Sequence, residues 1–340
     1  MLETSEQLEH LKLAAEVAGL EVPRLALPED HDVVVNRMRF HYLDWGNAER
    51  HPILFLHGGG LNAHTWDLVC LALRGEYHCI ALDQRGHGDS EWSPVGDYSL
   101  PSQVRDVEHF IEKLKLERPL MVGHSMGGFA AMAYAAKFAR RMAGLVLVDI
   151  APELNPSGTA RIRNFLAQDR ELDSVDAFVE RAMAFNPLRN PALLRRSLLH
   201  NLRELPNGKW TWKHDPNRMP KNFENERDER REMIKDNAQN ITCPTLVCSG
   251  ASDLFLAGQP EKLYEHLTCP KTLISFTAED AADAHVQVGA MRLACSRIGD
   301  WLDGTFSTAP AWPAGSGLAR GRAGGVGDRD EAGLNEASKT

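Results

Sequence analysis

A serine between two glycines is the feature of the chain with the clearest chemical meaning. Residues 123–127 read Gly-His-Ser-Met-Gly, with an apolar run over 119–122 before them and small residues typical of a helix over 129–138. This order predicts a strand, a sharp turn and a helix with Ser125 at the apex, the arrangement of a nucleophile elbow. Positions 123 and 127 need glycine for a steric reason, since a Cβ atom beside so strained a turn would collide with it.

A serine hydroxyl attacks a carbonyl poorly by itself, so Ser125 needs a histidine base and a carboxylate that orients the histidine. In an open α/β sheet the functional groups gather beyond the carboxyl ends of the strands. Asp253 follows a predicted strand over 244–248, and His285 lies between the next strand and the closing helix. The chain order Ser125, Asp253, His285 is typical of elbow enzymes. Asp149, which ends another predicted strand, is the alternative acid.

An oxyanion hole requires two backbone N–H groups that point at one developing charge. The amide of Met126, directly after the nucleophile, is the first candidate. The second lies in the glycine loop after the predicted strand 53–56, where Gly59 is preferred and Gly60 is the alternative, because glycine lets the backbone approach a substrate closely. His57, at the start of this loop, is expected to hydrogen-bond the loop backbone.

No metal site is expected from the histidines of this region. They lack the paired spacing, with a carboxylate partner on one helix face, that is usual for metal ligands. These histidines are His57, His64, His87 and His124.

Short apolar runs alternate with helical patterns through most of the chain. Such alternation predicts a mostly parallel sheet covered by helices on both faces, that is, an α/β fold. The runs that predict buried strands are 53–56, 79–82, 119–122, 145–148, 244–248 and 272–276, and residues 100–116 predict an amphipathic helix. Residues 33–35 and 39–46 predict a hairpin of edge strands.

Four regions follow from this pattern. Residues 1–32 are expected to be a helical extension and linker, in which 5–20 form an amphipathic surface helix, with a docking extension as the alternative. Residues 33–151 and 239–304 are the α/β core. Residues 152–238 interrupt the strand rhythm and predict a helical cap, with helices over 161–168, 175–184 and 191–202 and a hairpin over 206–213. The tail 305–340 has few large apolar residues and is expected to be disordered.

The composition narrows the function classes. The 340 residues carry a net charge of −9, which argues against nucleic-acid binding and favours neutral or apolar small ligands. No apolar run reaches the ~20 residues of a membrane span, and the first residues lack the features of a signal peptide. Six cysteines without a CxxC pair suggest reduced thiols and a cytoplasmic protein. The oligomeric state is open, with a homodimer as one option.

Together these motifs resemble the α/β-hydrolase fold family. The resemblance rests on the segments 57–66, 83–90, 123–127, 250–253 and 284–286 and spans roughly residues 33–303. It implies an eight-stranded, mostly parallel sheet with a helical cap insertion. It also implies Ser125 as nucleophile, Asp253 as acid, His285 as base, and Gly59 and Met126 as oxyanion donors. The chain is most similar to carboxylesterase, lactonase and cofactor-free haloperoxidase-like members, which implies no cofactor. One departure is Ala284, where many members carry glycine before the catalytic histidine.

The sequence thus predicts a serine hydrolase that cleaves an ester or lactone of a small, fairly apolar molecule through an acyl-enzyme. The cap is expected to contribute pocket walls from Phe165, Phe178, Met183, Trp210 or Trp212, although the core of the cap is the preferred place for any single one of these residues. Two alternatives stay open. One is a C–C bond hydrolase, amide hydrolase or perhydrolase on the same triad, and the other is a ligand-binding protein of this fold with little turnover.

Overall fold

The computed structural model describes residues 4–22, 24–153, 155–166, 168–187, 189–218, 226–250, 256, 259–277 and 291–306. Its strands are β1 (Glu29–Val35), β2 (Met38–Asp44), β3 (Pro52–Leu56), β4 (His78–Leu82), β5 (Leu120–His124), β6 (Gly144–Val148), β7 (Glu171–Leu172), β8 (Leu202–Glu204), β9 (Trp210–Trp212), β10 (Thr245–Gly250) and β11 (Lys271–Phe276).

The α-helices between and around these strands are α1 (Thr4–Val17), α2 (Asp67–Leu73), α3 (Leu100–Leu114), α4 (Met126–Lys137), α5 (Pro156–Leu166), α6 (Val175–Phe185), α7 (Pro191–Asn201), α8 (Glu226–Asn240), α9 (Pro260–His266) and α10 (Met291–Phe306). A short 3-10 helix, Ala63–Trp66, precedes α2. None of the helices among the described residues combines the length and the apolar character needed to cross a membrane.

Eight strands form one sheet in the order β1-β2-β4-β3-β5-β6-β10-β11. The pairs β1–β2 and β2–β4 are antiparallel, and every other pair is parallel. The predicted mostly parallel, eight-stranded sheet is therefore confirmed. The predicted hairpin also forms, but only β1 lies at an edge, because β2 pairs with β4 on its other side.

Each face of the sheet has its own apolar cluster, as expected for strands that are covered on both sides. Along β3, Ile53 and Phe55 belong to one cluster, whereas Leu54 and Leu56 belong to the other. This alternation follows from the two-residue period of a strand. The central strands are therefore rigid supports for the loops at their carboxyl ends.

The N-terminal helix lies on the surface with one face buried, as its amphipathic pattern predicts. Leu8, Leu13 and Val17 are exposed, whereas Leu11, Ala14 and Ala15 are buried in the cluster that also contains Phe55. The helix also lies against α7, so it supports the inserted segment.

Residues 152–238 form what we call the inserted segment. Its helices α5, α6 and α7 match the predicted helices to within a few residues, apart from the earlier start of α5. The predicted hairpin is present as β8 and β9, but β9 also pairs with β7 to give a three-stranded antiparallel sheet that the sequence did not predict. A separate apolar cluster around Phe178 lies within this segment.

Candidate active site

Ser125 occupies the sharp turn that the sequence predicts. It directly follows β5 and precedes α4, and its backbone has φ 47° and ψ −114°. A positive φ is costly for a residue with a Cβ atom and persists only when its surroundings impose it. Here the Ser125 N–H donates to the carbonyl of Val148 at 3.0 Å, and its carbonyl accepts from the N–H of Phe129 at 3.0 Å. The strained turn is therefore held from both sides.

The glycines of the elbow allow the turn to touch β3. The N–H of Gly127 donates to the carbonyl of His57 at 3.1 Å. A Cβ atom on Gly127 would lie 2.4 Å from the backbone oxygen of Leu56, and one on Gly123 would lie 2.6 Å from the Cα atom of Gly128. Neither backbone can move away cheaply, so these positions need glycine. The close contact sets the distance between the serine and the glycine loop.

His57 has the structural role that the sequence predicts. The N–H of Gln84 donates to His57 Nε2 at 3.0 Å, so Nδ1 carries the ring proton and donates to the carbonyl of Gly58 at 2.8 Å. The side-chain amide of Gln84 also donates to the His57 carbonyl at 2.6 Å. The ring is fully buried and both nitrogens are used. It shapes the loop that carries Gly59, whose backbone is exposed.

A buried ion pair holds the next part of the same loop. Asp83, at the end of β4, accepts from the N–H of Ala63 at 2.6 Å and from the N–H of Asp89 at 2.9 Å. His41 on β2 lies between Asp83 and Asp30, with ring nitrogens 2.8 and 3.0 Å from their carboxylates. Burial disfavours the charged ring, but the hydrogen bonds to the two carboxylates outweigh this effect and raise the pKa of His41 to about 10.

Asp149, the alternative acid, lies behind the elbow. It is buried, has a φ of 52°, and donates its N–H to the carbonyl of Cys248 at 2.9 Å. Its carboxylate is 3.9 Å from Nε2 of His124, the residue before the serine. The His124 ring in turn packs on Gly58, where a Cβ atom would lie 2.4 Å from it. Asp149 and His124 thus brace the elbow against the glycine loop.

The preferred acid and base, Asp253 and His285, lie outside the described residues. The strands that lead to them are described: β10 pairs in parallel with β6 and with β11, and β6 pairs in parallel with β5. The carboxyl ends of β5, β10 and β11 therefore lie along the same edge of the sheet. This order is compatible with both residues reaching Ser125, and their roles stay predictions.

The inserted segment contacts the loops at this same edge in two places. At the first, the side-chain amide of Asn62 donates to the carbonyl of His200 at 2.8 Å, and Arg196 pairs with Asp67. At the second, the N–H of Asp215 donates to the carbonyl of Gly86 at 2.8 Å. The partners on the core side follow β3, which pairs with β5, and β4, which pairs with β3 on its other side. The inserted segment is therefore attached beside Ser125.

The aromatic residues expected at the pocket wall pack largely on one another. Phe178 is buried, and its ring lies edge-on to the ring of Trp212 with centroids 5.1 Å apart. Phe165, Met183, Trp210 and Trp212 are partly buried against the same cluster. The structure thus places these five side chains in the core of the inserted segment, the second of the two roles considered for them.

Within the described ranges, two groups of side chains have the composition of a metal site, and the sequence pointed to neither. His64, Asp67 and His200 offer ligand atoms within 4.8 Å of one another, and so do His41, Asp83 and Asp89. The first group joins α7 to the segment after β3, and its two histidines are 136 positions apart in the sequence. No local spacing could reveal such a group, because only the folded chain brings its members together.

The class of protein that has this fold and this elbow is identified by comparison with known proteins. The family model described as the alpha/beta hydrolase fold matches residues 51–276. The chain belongs to the alpha/beta hydrolase fold family. This finding confirms the resemblance inferred from the motifs.

Similarity to an esterase narrows the class. The chain is 34% identical to the esterase Rv0045c of Mycobacterium tuberculosis over 251 residues, which cover 72% of this chain and 79% of that protein. A crystal structure of that esterase superposes with a TM-score of 0.69 at 29% identity, covering 89% of this chain and all of the other. A second structure, described under "transition metal inhibition and structural refinement", also has a TM-score of 0.69 at 29% identity, covering 87% and 98%. The chain is thus a hydrolase, and its relatives indicate ester hydrolysis.

Proposed function

We propose that this protein is a serine hydrolase that cleaves a carboxylic ester or lactone of a small, fairly apolar molecule through an acyl-enzyme. The observation that carries the proposal is the strained backbone of Ser125, held at φ 47° between β5 and α4. Strain of this kind is retained where it presents a reactive group. It turns the serine out of the sheet, at the N-terminus of a helix whose first amides have no partner within the helix.

In the proposed reaction Ser125 attacks the carbonyl carbon while His285 takes its proton, and Asp253 orients the histidine. The oxyanion accepts hydrogen bonds from the amides of Gly59 and Met126. The acyl-enzyme is then cleaved by water that His285 activates. The buried His57 and Asp83 support this arrangement, because they hold the loop that carries Gly59.

The inserted segment is proposed to act as a cap. Its contacts with Asn62, Asp67 and Gly86 attach it at the edge of the sheet where Ser125 lies. Such a position allows it to exclude water and to limit the shape of the acyl group. The five aromatic and methionine side chains then act mainly through the rigidity of the cap.

A substrate panel tests the proposal. We expect aryl esters of short to medium acyl length and small lactones to be hydrolysed, with anilides at least about 1,000-fold slower. An initial burst of the aryl alcohol, equal in amount to the enzyme, reports the acyl-enzyme. Turnover of the anilides or of C–C bonds in place of esters contradicts the proposed substrate class. Absence of any turnover, together with saturable binding of the esters, favours the ligand-binding alternative.

The acid is tested by exchanging Asp253→Asn and Asp149→Asn separately. We expect the first exchange to lower kcat by about 10,000-fold, because the amide favours the wrong tautomer of the histidine. The second exchange weakens the contact of Asp149 with His124 that supports the elbow. We expect it to lower the unfolding temperature and to change kcat by less than the first exchange does. A large loss of kcat only with Asp149→Asn, in a protein that still unfolds cooperatively, would assign the acid to Asp149.

Sensitivity to transition metals is a further part of the proposal. The similar esterase Rv0045c has been described together with transition metal inhibition. We infer that hydrolysis by this chain is inhibited by such ions as well, and a titration of ester turnover with Zn²⁺, Ni²⁺ and Cu²⁺ tests this inference. Mg²⁺ at the same concentrations is the control, since it prefers oxygen ligands.

A further inference from the structure

The group His64, Asp67 and His200 joins two parts of the molecule that are distant in sequence. His64 lies in the 3-10 helix after the glycine loop, Asp67 begins α2, and His200 lies in the last turn of α7. The two imidazole rings stack with centroids 3.5 Å apart and planes 23° apart. The contact is therefore a direct bridge between the inserted segment and the loop beside Ser125.

The arrangement around His64 leaves one of its nitrogens available to a metal ion. Asp67 Oδ2 also pairs with the guanidinium of Arg196, as expected for an ionised carboxylate. An ionised carboxylate only accepts hydrogen bonds, so His64 Nδ1 must donate to Asp67 Oδ2, which is 2.9 Å away. With a proton at Nδ1, the metal-binding form of the ring presents its lone pair at Nε2. A carboxylate behind a histidine in this manner is the usual support of a metal ligand.

His200 supplies the second imidazole of the group. Within the described part of the chain, the hydrogen bond at this residue goes to its backbone carbonyl, and none holds its ring nitrogens. Binding of one ion by both rings requires the His200 ring to turn about its Cβ–Cγ bond out of the stack, so that both lone pairs converge. Asp67 Oδ1 is buried and has no hydrogen-bond partner among the described residues, which leaves further acceptor capacity in the group.

The other candidate group does not suit a metal ion. Both ring nitrogens of His41 are engaged by the carboxylates of Asp83 and Asp30. A ring that donates from both nitrogens has no lone pair to offer. His41 therefore serves as the cation of an ion pair, whereas His64 and His200 have lone pairs that can bind a metal ion.

We propose that His64 and His200, with Asp67 orienting His64, bind a divalent transition-metal ion that ties the inserted segment to the loop beside Ser125. Two imidazoles with water in the remaining positions suit Zn²⁺, Ni²⁺ and Cu²⁺. The bound ion slows hydrolysis because it opposes the motion of the inserted segment during substrate entry and product release. This inhibitory effect rests on the proposed hydrolase activity, whereas the binding of the ion does not.

Direct binding is measured first, on the full chain. Zn²⁺ is titrated by calorimetry into the wild type, His64→Gln, His200→Gln and the control His266→Gln, which removes another partly buried histidine far along the chain on α9. We expect one ion per chain in the wild type and the control, with affinity at least about 10-fold lower in both cluster variants. Absence of binding to the wild type, or equal affinity in all four proteins, overturns the proposal.

Two further readouts separate this site from a metal bound at the catalytic histidine. The electron paramagnetic resonance spectrum of bound Cu²⁺ is expected to show two coordinated imidazoles in the wild type and one in His200→Gln. Each variant's ester turnover is then compared with its own metal-free turnover. We expect metal inhibition to weaken at least about 10-fold in His200→Gln. Inhibition that persists unchanged in both cluster variants places the inhibitory ion elsewhere and overturns the regulatory role.

Discussion

The loops around Ser125 and the inserted segment are attached to the same sheet by different kinds of contact. The elbow touches β3 through backbone atoms, as in the hydrogen bond from Gly127 to His57. The inserted segment is attached through polar side chains, such as Asn62, Arg196 and Lys213, together with the backbone hydrogen bond from Asp215 to Gly86. Backbone contacts tolerate little change, whereas side-chain contacts can be exchanged one at a time. The chemistry is therefore built into the core, and the inserted segment can vary around it.

Gly127→Ala is expected to have the largest effect, because it inserts a Cβ atom 2.4 Å from the backbone oxygen of Leu56. We expect a loss of about 3 kcal/mol in the free energy of unfolding and at least about 100-fold in kcat. The matched control in the inserted segment is Gly208→Ala, at a turn with φ 80° and no atom within 4 Å of the added Cβ. It should cost about 1 kcal/mol and leave turnover near that of the wild type. Denaturant unfolding and ester turnover are measured for both variants. Equal losses of turnover in the two variants would contradict the difference between the elbow and the inserted segment.

Arg196→Met tests the attachment of the inserted segment. It leaves Asp67, which is almost fully buried, without its guanidinium partner. We expect a loss of about 3 kcal/mol in the free energy of unfolding, as is usual when one partner of a buried pair is removed. Because Ser125 and its backbone contacts are unchanged, kcat should fall by less than about 10-fold. The double variant Asp67→Asn with Arg196→Met should recover part of the stability, and a larger loss in the double variant would refute the pairing.

The ion pair of His41 predicts a pH dependence of stability. Since the pKa of His41 is raised to about 10 in the folded protein, its stabilisation is fully present below the unfolded value near 6.5 and is lost as the pH rises through about 10. The groups that face it are Asp30, Asp83 and Asp89. We expect the stability difference between the wild type and His41→Gln to shrink between pH 7 and pH 10.5 by at least about 1.4 kcal/mol, the value of one pKa unit. A constant difference across this range contradicts the charge assigned to His41.

Lys213→Met is expected to have the smallest effect. Lys213 pairs with Asp89 at 2.6 Å, but the Asp89 side chain is 51% exposed, so water and salt screen the pair. We expect a loss below about 1 kcal/mol, smaller again in 0.5 M salt. A loss comparable to that of Arg196→Met would show that surface pairs also anchor the inserted segment.

The sheet and the elbow could be read from the sequence because their signals are local. Each buried strand is a short apolar run, and the turn at Ser125 needs glycine on both sides for steric reasons. The predicted hydrogen bond of His57 to the loop backbone is present at Gly58, whereas the second partner, the N–H of Gln84, lies after β4 and was not predicted. Local patterns of this kind carry their structural meaning within about ten residues.

The contacts between distant segments could not be read in this way. The burial of Leu11 in the main core, the pairing of β7 with β9, and the meeting of His64 with His200 all depend on the folded chain. No residue type or spacing near any of them indicates its partner. The expectation of no metal ligands among His57, His64, His87 and His124 rested on local spacing for the same reason, and local spacing does not include His200 of α7.

Covalent labelling of Ser125 tests the central claim most directly. The full chain is treated with a fluorophosphonate, and the adduct is mapped by peptide mass spectrometry while ester turnover is followed. We predict one adduct per chain on Ser125, loss of turnover in proportion to labelling, and no adduct in Ser125→Ala, with Ser157→Ala labelled like the wild type. An unlabelled Ser125, or turnover that survives in Ser125→Ala, would contradict the account.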